Sequence, residues 1–317
     1  MKILVLGGSG FFGKSFVDYF QKNIFNQNES KYTLILASRN IESVKNIIDS
    51  KLLNKKIYLD SIDVTSCSSL PDADLVIHAA TSTSEEDYIN NPEFEKNNII
   101  KGAENIIKKI KRDTNFMYIS SGAVYGKHLN KNNSFSEDEN NKIVMLDGTK
   151  LHYANAKIKA ENTIIKYSKL NSVKSTIARC YAFVGKYLPL DSHFYIGNMI
   201  NSILNEKEHH IKSEHQVFRS YMHADDLVRS LLFINSYSST NCEIFNIGSN
   251  EVLELHELAQ LFSNNYKFKI SGNIKANEKL NPDIYVPNID KLLSKGFKLN
   301  YNALKSIKKV IEELNNE

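Results

Sequence analysis

The 317-residue sequence predicts an α/β fold: a Rossmann-type, doubly wound parallel sheet with a smaller C-terminal lobe. Two observations predict it. Short runs of apolar and β-branched residues alternate with helix-patterned segments up to about residue 180, which is typical of a parallel sheet covered by helices on both faces. A glycine-rich segment, GGSGFFG, joins the first of these runs to the first helix pattern.

The predicted elements follow one another in a regular order. The first strand is KILVLG and the first helix is KSFVDYFQKNI; the next three strands are YTLILAS, KIYLDSIDV and ADLVIHAA. A helix is predicted for NIIKGAENIIKKI because its apolar residues recur at helical spacing. The strand NFMYISS, the long helix YANAKIKAENTIIKYSKL and the strand KSTIARCY complete this part.

Beyond residue 181 the alternation is weaker. The sequence predicts an ordered loop for KYLPLDSHFYIG, helices for GNMINSILN and ADDLVRSLLFI, a strand for EIFNIG, and mostly helix from EVLELHELAQLF to IKKVIEELNN. We therefore predict a dinucleotide-binding domain at residues 1–180, to which residues 220–250 return. Residues 181–219 and 251–317 are predicted to form the substrate-binding lobe.

Composition and charge exclude several classes of protein. The formal net charge is +4 and the lysines are dispersed, so no nucleic-acid partner is expected. No apolar run is long enough to span a bilayer, and the chain starts on a strand without a signal peptide, so we expect a cytoplasmic protein with no membrane partner. The three cysteines are far apart and show no metal-ligand spacing, so we expect neither disulfides nor a metal site.

The glycine-rich segment predicts a dinucleotide site. Three glycines stand three residues apart between strand and helix, where glycine allows a tight turn and a close approach of the backbone to a pyrophosphate. The start of the helix then offers N–H groups and a positive dipole end. The loop residues predicted to bind the cofactor are Gly7, Gly10, Phe11, Phe12 and Gly13.

The end of the second strand favours NADP(H) over NAD(H). An acidic residue at this place would bind the ribose hydroxyls of NAD, whereas this sequence has Ser38 and Arg39, and an arginine can pair with the 2′-phosphate of NADP. NAD(H) stays possible, because Arg39 could be an ordinary surface residue. Asp63 and Val64, at the end of the third strand, are also expected to bind the cofactor. Asp63 could accept a hydrogen bond from the adenine amine, or it could instead be a helix cap in DVTS.

The segment YANAK places Tyr153 and Lys157 four residues apart, on one face of a helix. An ammonium group near a tyrosine stabilises the phenolate and lowers the pKa of the phenol, which makes the pair a plausible general acid or base. Alone, such a pair could be an exposed helix face. Together with the glycine loop and the segment SSGAVYG at residues 120–126, it indicates a catalytic site.

The chain resembles the extended short-chain dehydrogenase/reductase family, of the NAD-dependent epimerase/dehydratase type, that acts on nucleotide-linked sugars. The matching segments occur in the family's order: GGSGFFG, HAA at 78–80, SSGAVYG, YANAK, RCYAFVG, RSYMHADD and FNIGS. The resemblance implies that Ser121 acts beside Tyr153 on a sugar oxygen and that Lys157 also holds the nicotinamide ribose. It further implies that Ala79 and Ala80 line the cofactor cleft.

The resemblance also implies a substrate site for a nucleotide-diphosphate sugar. Arg219 corresponds to an arginine that pairs with the diphosphate, and Asn198 matches a position that contacts the same group, although Asn198 could instead be a helix cap. The residues expected to contact substrate are Ser121, Gly122, Ala123, Tyr181, Asn198 and Arg219. Ala182 replaces an asparagine that many members carry near the substrate phosphates. A homodimer built on two helices per subunit is also implied.

Gly122 and Ala123 limit the reaction. Family 4,6-dehydratases carry acidic residues, or Asp with Lys, at these two places, and neither glycine nor alanine can transfer a proton. We therefore expect an NADPH-dependent 4-ketoreductase of a nucleotide-linked 4-keto-6-deoxyhexose, which would serve the biosynthesis of bacterial surface polysaccharide such as O-antigen. The alternative is a 4-epimerase with tightly bound NAD. A 4,6-dehydratase and a non-catalytic NADP sensor are less favoured.

Overall fold

The computed structural model describes residues 1–26, 31–82, 85–127, 134–139, 146 and 148–316. The strands of the described chain are β1 Lys2–Leu6, β2 Thr33–Ser38, β3 Ile57–Ser61, β4 Leu75–His78, β5 Asn115–Ser121, β6 Ser175–Cys180, β7 Phe183–Val184, β8 His209–Ile211, β9 Val217–Arg219, β10 Met222–His223, β11 Glu243–Ile247, β12 Leu253–Glu254, β13 Ile270–Gly272 and β14 Asp283–Tyr285.

The helices lie between these strands and at the C-terminal end. They are α1 Phe11–Asn23, α2 Glu85–Asn90, α3 Pro92–Ile107, α4 Gly148–Asn171, α5 Tyr195–Leu204, α6 Ala224–Ile234, α7 Leu255–Ser263, α8 Asp290–Ser294 and α9 Ala303–Asn315. Short 3₁₀ helices cover Ile41–Ile47, Gly122–Tyr125 and Asn235–Tyr237.

A seven-stranded sheet in the order β3-β2-β1-β4-β5-β6-β11 confirms the predicted Rossmann-type fold. The chain runs outward from β1 to β3, then returns to the other side of β1 as β4, and the pairs around this reversal are parallel. In this topology the carboxyl ends of β1 and β4 diverge, and a crevice for a ligand opens between them. The register pairs Leu6 with both Ala37 and His78, so three strands end at the same edge.

Helices α3 and α4 cover one face of the sheet. Their apolar side chains pack with strand residues into one buried cluster, which includes Ile99, Ala103, Ile106, Ala156, Ala160 and Ile164. A Cβ on Gly102 of α3 would lie 3.1 Å from a methyl group of Val64, so the helix lies very close to the chain that follows β3. This packing fixes α4, which carries Tyr153 and Lys157, against the sheet.

The chain divides into two compact units. Unit 1 comprises Met1–Val124, Asp147–Arg179 and Val228–Phe245; unit 2 comprises Tyr125–Leu146, Cys180–Leu227 and Asn246–Glu317. Unit 2 includes four parts of the chain that the sequence pattern places in the dinucleotide-binding domain: residues 125–146, Cys180, residues 220–227 and residues 246–250. Unit 2 contains three small sheets, β12-β9-β14, β10-β7 and β13-β8.

The structure corrects several predicted boundaries. Helix α3 begins at Pro92, six residues before the predicted segment, because proline is favoured in the first turn of a helix. In EVLELHELAQLF the helix begins only at Leu255, since Glu254 is its cap and accepts a hydrogen bond from the Glu257 amide at 2.9 Å. The C-terminal part is not mostly helical, because strands and irregular chain separate α7 from α8.

Across the part of the chain that the structure describes, no helix combines the length and the apolar character that a membrane span needs. Within the same residues, histidine, cysteine and acidic side chains form no group that could hold a metal ion.

Candidate active site

The turn after β1 brings the backbone of two strand ends into close contact. The amides of Gly7 and Gly8 donate to the Ala37 carbonyl at 2.8 and 2.9 Å. Gly7 has φ +89, and a Cβ there would lie 2.7 Å from the carbonyl carbon and oxygen of Ala79. A side chain at position 7 is therefore excluded both by the left-handed backbone conformation and by the approach of the chain after β4.

Helix α1 begins with an open N-terminus. Gly10 is its N-cap, no side chain caps the helix, and its first turn has no acidic residue. The first two helical residues are Phe11 and Phe12, whose rings meet edge to face at 6.0 Å between centroids. A Cβ on Gly13 would lie 2.2 Å from the Gly8 carbonyl oxygen, so this glycine lets the helix pack onto the loop. The amides and the positive dipole end of such a helix bind anions.

The end of β2 offers a polar position for a nucleotide. The hydroxyl oxygen of Ser38 is buried and has no hydrogen-bond partner among the described residues. The side chain of Arg39, the next residue, is exposed. An orphaned buried hydroxyl and an exposed guanidinium beside the glycine loop fit the ribose end of a dinucleotide, which supplies hydroxyl or phosphate partners.

Asp63 caps a turn at residues 64–66, after β3, whereas the alternative prediction was a helix cap. Its Oδ1 accepts hydrogen bonds from the amide and the hydroxyl of Thr65, both at 2.8 Å. These bonds, aided by the positive charge of Arg39, lower the pKa of the Asp63 carboxyl below its ordinary value. The next carbonyl, of Val64, accepts a hydrogen bond from the Asn105 side chain of α3 at 2.9 Å.

Lys157 is a buried residue of α4, and its ammonium points to β5 and to the segment that follows β4. Its Nζ donates to the Ile119 carbonyl of β5 at 2.9 Å and to the Thr81 hydroxyl at 3.0 Å. It lies 5.6 Å from the centre of the half-buried Tyr153 ring and 4.9 Å from that of Tyr118. The ammonium charge is therefore next to the phenol, as the spacing in YANAK predicts.

Ser121 is the last residue of β5 and is buried. Its hydroxyl oxygen accepts a hydrogen bond from the Ala123 amide at 3.2 Å, across the start of the following 3₁₀ helix. That helix contains Gly122 and Ala123. Neither residue can exchange a proton, so in unit 1 the hydroxyl at the end of β5 is not followed by an acid or a base.

His78 is the last residue of β4, and its imidazole lies near the Lys157 ammonium. Its ring meets the Tyr118 ring edge to face at 5.5 Å between centroids. Burial, followed by the charge of Lys157, lowers the pKa of His78 from 6.5 to about 3. The imidazole is therefore neutral at physiological pH, and the positive charge at this place belongs to the lysine.

A buried ion pair holds the next turn of α4 against the sheet. Glu161, four residues after Lys157, pairs with Arg179 of β6 at 2.7 Å and also accepts a hydrogen bond from the Ser120 hydroxyl of β5. Both ionic side chains are almost fully buried. The pair ties α4 to two strands next to the catalytic candidates. Sequence reasoning missed it, although the spacing of Lys157 and Glu161 is a helical signal that could have found it.

The predicted substrate residues of unit 2 are partly brought together. Arg219 pairs with Asp283, with 3.0 Å between Nη2 and Oδ2, and its guanidinium lies 6.0 Å from the Tyr285 ring centre. The ring of Tyr181 lies 4.7 Å from the same ring. Tyr285 thus has contacts with two of the predicted residues. Neither Tyr285 nor Asp283 was predicted, because only the pairing of β14 with β9 brings them close to Arg219.

Asn198 lies inside α5. Its side-chain amide donates to the Ser192 carbonyl at 2.8 Å and so holds the preceding loop. The N-cap of this helix is Phe194, so the alternative of Asn198 as a helix cap is wrong. The diphosphate contacts implied for Asn198 and Arg219 stay predictions.

Comparison with known proteins supports the resemblance seen in the sequence. A family model described as "NAD dependent epimerase/dehydratase family" matches residues 3–248. A putative UDP-glucose 4-epimerase of Methanocaldococcus jannaschii is 24% identical over 320 residues, which cover 99% of this chain and 98% of that protein. UDP-glucuronic acid decarboxylase 6 of Arabidopsis thaliana is 25% identical and covers 92% of this chain and 82% of the relative.

A solved structure shows the same fold. The dTDP-glucose 4,6-dehydratase of Bacillus anthracis, in complex with NAD, aligns with a TM-score of 0.79 at 18% identity. The alignment covers 100% of this chain and 97% of that one.

Proposed function

Because this chain belongs to the NAD dependent epimerase/dehydratase family and is an enzyme of that family, we propose that it is an NADPH-dependent 4-ketoreductase of a nucleotide-linked 4-keto-6-deoxyhexose. One observation carries the choice of reaction. The residues after Ser121 are Gly122 and Ala123, so the two positions where family 4,6-dehydratases carry their acid and base offer no proton-transferring group.

The chain's own residues account for a carbonyl reduction. The Tyr153 hydroxyl donates a proton to the oxygen at C4 of the sugar, and the Ser121 hydroxyl donates a hydrogen bond to the same oxygen and polarises the carbonyl. Lys157, with its Nζ 5.6 Å from the centre of the tyrosine ring, stabilises the phenolate that remains. A reduced nicotinamide cofactor supplies the hydride when it is bound.

The cofactor is proposed to be NADP(H). The glycine loop, the uncapped start of α1 and the orphaned Ser38 hydroxyl support a dinucleotide at the β1 crevice. Ala79 and Ala80 follow β4 at the same edge and offer no bulk to obstruct it. The exposed Arg39 supports a 2′-phosphate, which a dissociable reductant such as NADPH would bring.

The substrate is proposed to be a nucleotide-diphosphate sugar. Arg219 would pair with the diphosphate, with Tyr181 and Asn198 as further contacts in unit 2. The curated relatives above are named for UDP-sugars, and the solved structure for a dTDP-sugar, which supports the class and leaves the base open. The stretch KYLPLDSHFYIGNMI resembles that of family members linked to bacterial surface polysaccharide, which is the ground for proposing a role in that biosynthesis. We further propose a cytoplasmic homodimer.

The second candidate is a 4-epimerase with tightly bound NAD. The name of the Methanocaldococcus jannaschii relative and the NAD in the Bacillus anthracis structure favour it. The same Ser121, Tyr153 and Lys157 set serves both reactions, since an epimerase oxidises C4 and then reduces it from the other face.

Two measurements separate the candidates. Purified protein is denatured and the released nucleotide is identified; NAD retained in stoichiometric amount argues for the epimerase and against the reductase. The loss of NADPH absorbance is then followed with 4-keto-6-deoxyhexoses linked to dTDP, CDP, UDP and GDP. Oxidation of NADPH with one of them supports the proposal, and no oxidation with any of them contradicts it.

A further inference from the structure

The buried ammonium of Lys157 is held by two oxygens of different kinds. Lys157 is 2% exposed, and a buried charge needs hydrogen-bond partners to compensate for its lost hydration. One partner, the Ile119 carbonyl, is main chain of β5 and is fixed by the sheet. The other is the hydroxyl of Thr81, a side chain in the segment that follows β4.

One acceptor, Ile119, lies in β5, and the other, Thr81, lies three residues after the end of the adjacent strand β4. His78 of β4 pairs with Tyr118 of β5 in the parallel register, so Thr81 and Ile119 lie just beyond the same pair. The ammonium joins the segment after β4 to β5, at 3.0 Å from the Thr81 oxygen and 2.9 Å from the Ile119 oxygen. Of these two contacts, the one from Thr81 depends on the residue type.

Aromatic side chains near the ammonium offer a different kind of contact. The imidazole of His78 is fully buried, and Tyr118 and Tyr153 present ring faces at 4.9 and 5.6 Å. A ring face attracts a cation without fixing it in one direction, whereas a hydrogen bond is directional. Loss of the Thr81 oxygen would leave the ammonium with one fewer directional contact on its β4 side.

We propose that Thr81 is a positioning residue whose hydroxyl holds the Lys157 ammonium between β4 and β5, at the distance from Tyr153 that proton transfer needs. The inference rests on the proposed function in that it gives Lys157 a part in catalysis. Thr81 itself acts through Lys157 and transfers no proton.

The test compares Thr81→Val with Thr81→Ser in the full-length protein. Valine keeps the shape and removes the hydroxyl, whereas serine keeps the hydroxyl. Because Thr81 is half-buried in a loop, neither change disturbs the core. The first readout is the rate at which acetic anhydride acetylates Lys157, followed by peptide mass spectrometry, which does not depend on turnover. The second readout is the division of the effect between kcat and KM.

We expect Lys157 in Thr81→Val to be acetylated several-fold faster than in the wild type, and Thr81→Ser to match the wild type. In Thr81→Val, kcat should fall roughly tenfold, and KM should change less than about twofold. This is the pattern expected when a hydrogen bond to a charged group stabilises the transition state more than the bound substrate. Equal acetylation in the wild type and in Thr81→Val would overturn the inference. Faster acetylation with unchanged kcat would also overturn it, since the contact would then be structural only.

The result that would contradict the proposed function differs from the result that would contradict the role of Thr81. If the wild type oxidises NADPH with no keto sugar, the reductase assignment fails, and the acetylation rates alone still decide whether Thr81 holds Lys157. Equal acetylation rates would overturn the contact whatever the reaction is.

Discussion

Two glycines of the phosphate loop should respond to alanine in opposite ways. Gly13→Ala should damage the fold, whereas Gly10→Ala should spare the fold and weaken dinucleotide binding. The difference comes from what a new Cβ would meet. At position 13 it would lie 2.2 Å from the Gly8 carbonyl oxygen; at position 10 its nearest neighbour is the Gly7 carbonyl oxygen at 3.4 Å.

The magnitudes follow from these contacts. An ordinary van der Waals contact of a Cβ begins at 3.4 Å. With alanine at position 13, α1 and the loop must therefore separate by about 1.2 Å. Such overpacking costs about 3 kcal/mol, which lowers the Tm of a 317-residue chain by roughly 4–5 °C. At position 10, φ −85 and ψ −177 suit alanine. The smaller entropy of the unfolded chain stabilises by roughly 0.5 kcal/mol, and the poorer N-cap costs about as much.

Gly10→Ala, which has the smaller effect on stability, should have the larger effect on dinucleotide binding. The Cβ of Gly10→Ala stands at the open start of α1, where phosphate oxygens must approach the amides. We expect the Kd for NADPH to rise about tenfold or more, with Tm within about 2 °C of the wild type. Thermal unfolding by circular dichroism and titration calorimetry with NADPH check both. Unchanged NADPH affinity in a folded Gly10→Ala would refute the placement of the cofactor, and an unchanged Tm of Gly13→Ala would refute the packing argument.

Three further changes test other parts of the site. Tyr153→Phe removes the proposed proton donor and should lower kcat roughly 10²-fold or more at an unchanged Tm; near-normal turnover would reject that role. Arg39→Asp should shift the ratio of kcat/KM values from NADPH towards NADH, because a carboxylate repels the 2′-phosphate and accepts from ribose hydroxyls; an unchanged ratio would show that Arg39 does not bind this phosphate. The folded-state pKa of His78, about 3 against 6.5, means that acid protonates the unfolded chain first. The free energy of unfolding should therefore fall as pH drops below 6.5, by up to about 2 kcal/mol at pH 5 from this residue alone. His78→Gln should remove that part of the slope in urea titrations at several pH values, and a slope equal to that of the wild type would contradict the assignment.

Local patterns predicted the centre of the fold well. The strand NFMYISS matches β5 and the segment ADDLVRSLLFI matches α6, because hydrophobic period and flanking residues agree with the tertiary packing there. The placement of Tyr153 and Lys157 also followed from helical spacing alone. Residues a few positions apart determine such helices, strands and helical pairs.

Contacts between residues that are distant in sequence cannot be predicted from local patterns. Lys157 and Thr81 are 76 positions apart, and Arg219 and Asp283 are 64 apart. Lys157 and Thr81 meet because α4 packs against the sheet, and Arg219 and Asp283 meet because β9 pairs with β14. The short strands of unit 2 were missed for the same reason, since two- or three-residue segments such as β12 carry too few residues to show a period.

The proposed reaction is tested most directly by following the hydride. The enzyme is given a nucleotide-linked 4-keto-6-deoxyhexose with NADPH that carries deuterium at the transferable position of its nicotinamide. A 4-ketoreductase that uses Tyr153 and Lys157 should place one deuterium at C4 of the sugar, detected by NMR and mass spectrometry of the product. A product without deuterium at C4, or a deuterium at another carbon, would contradict the account.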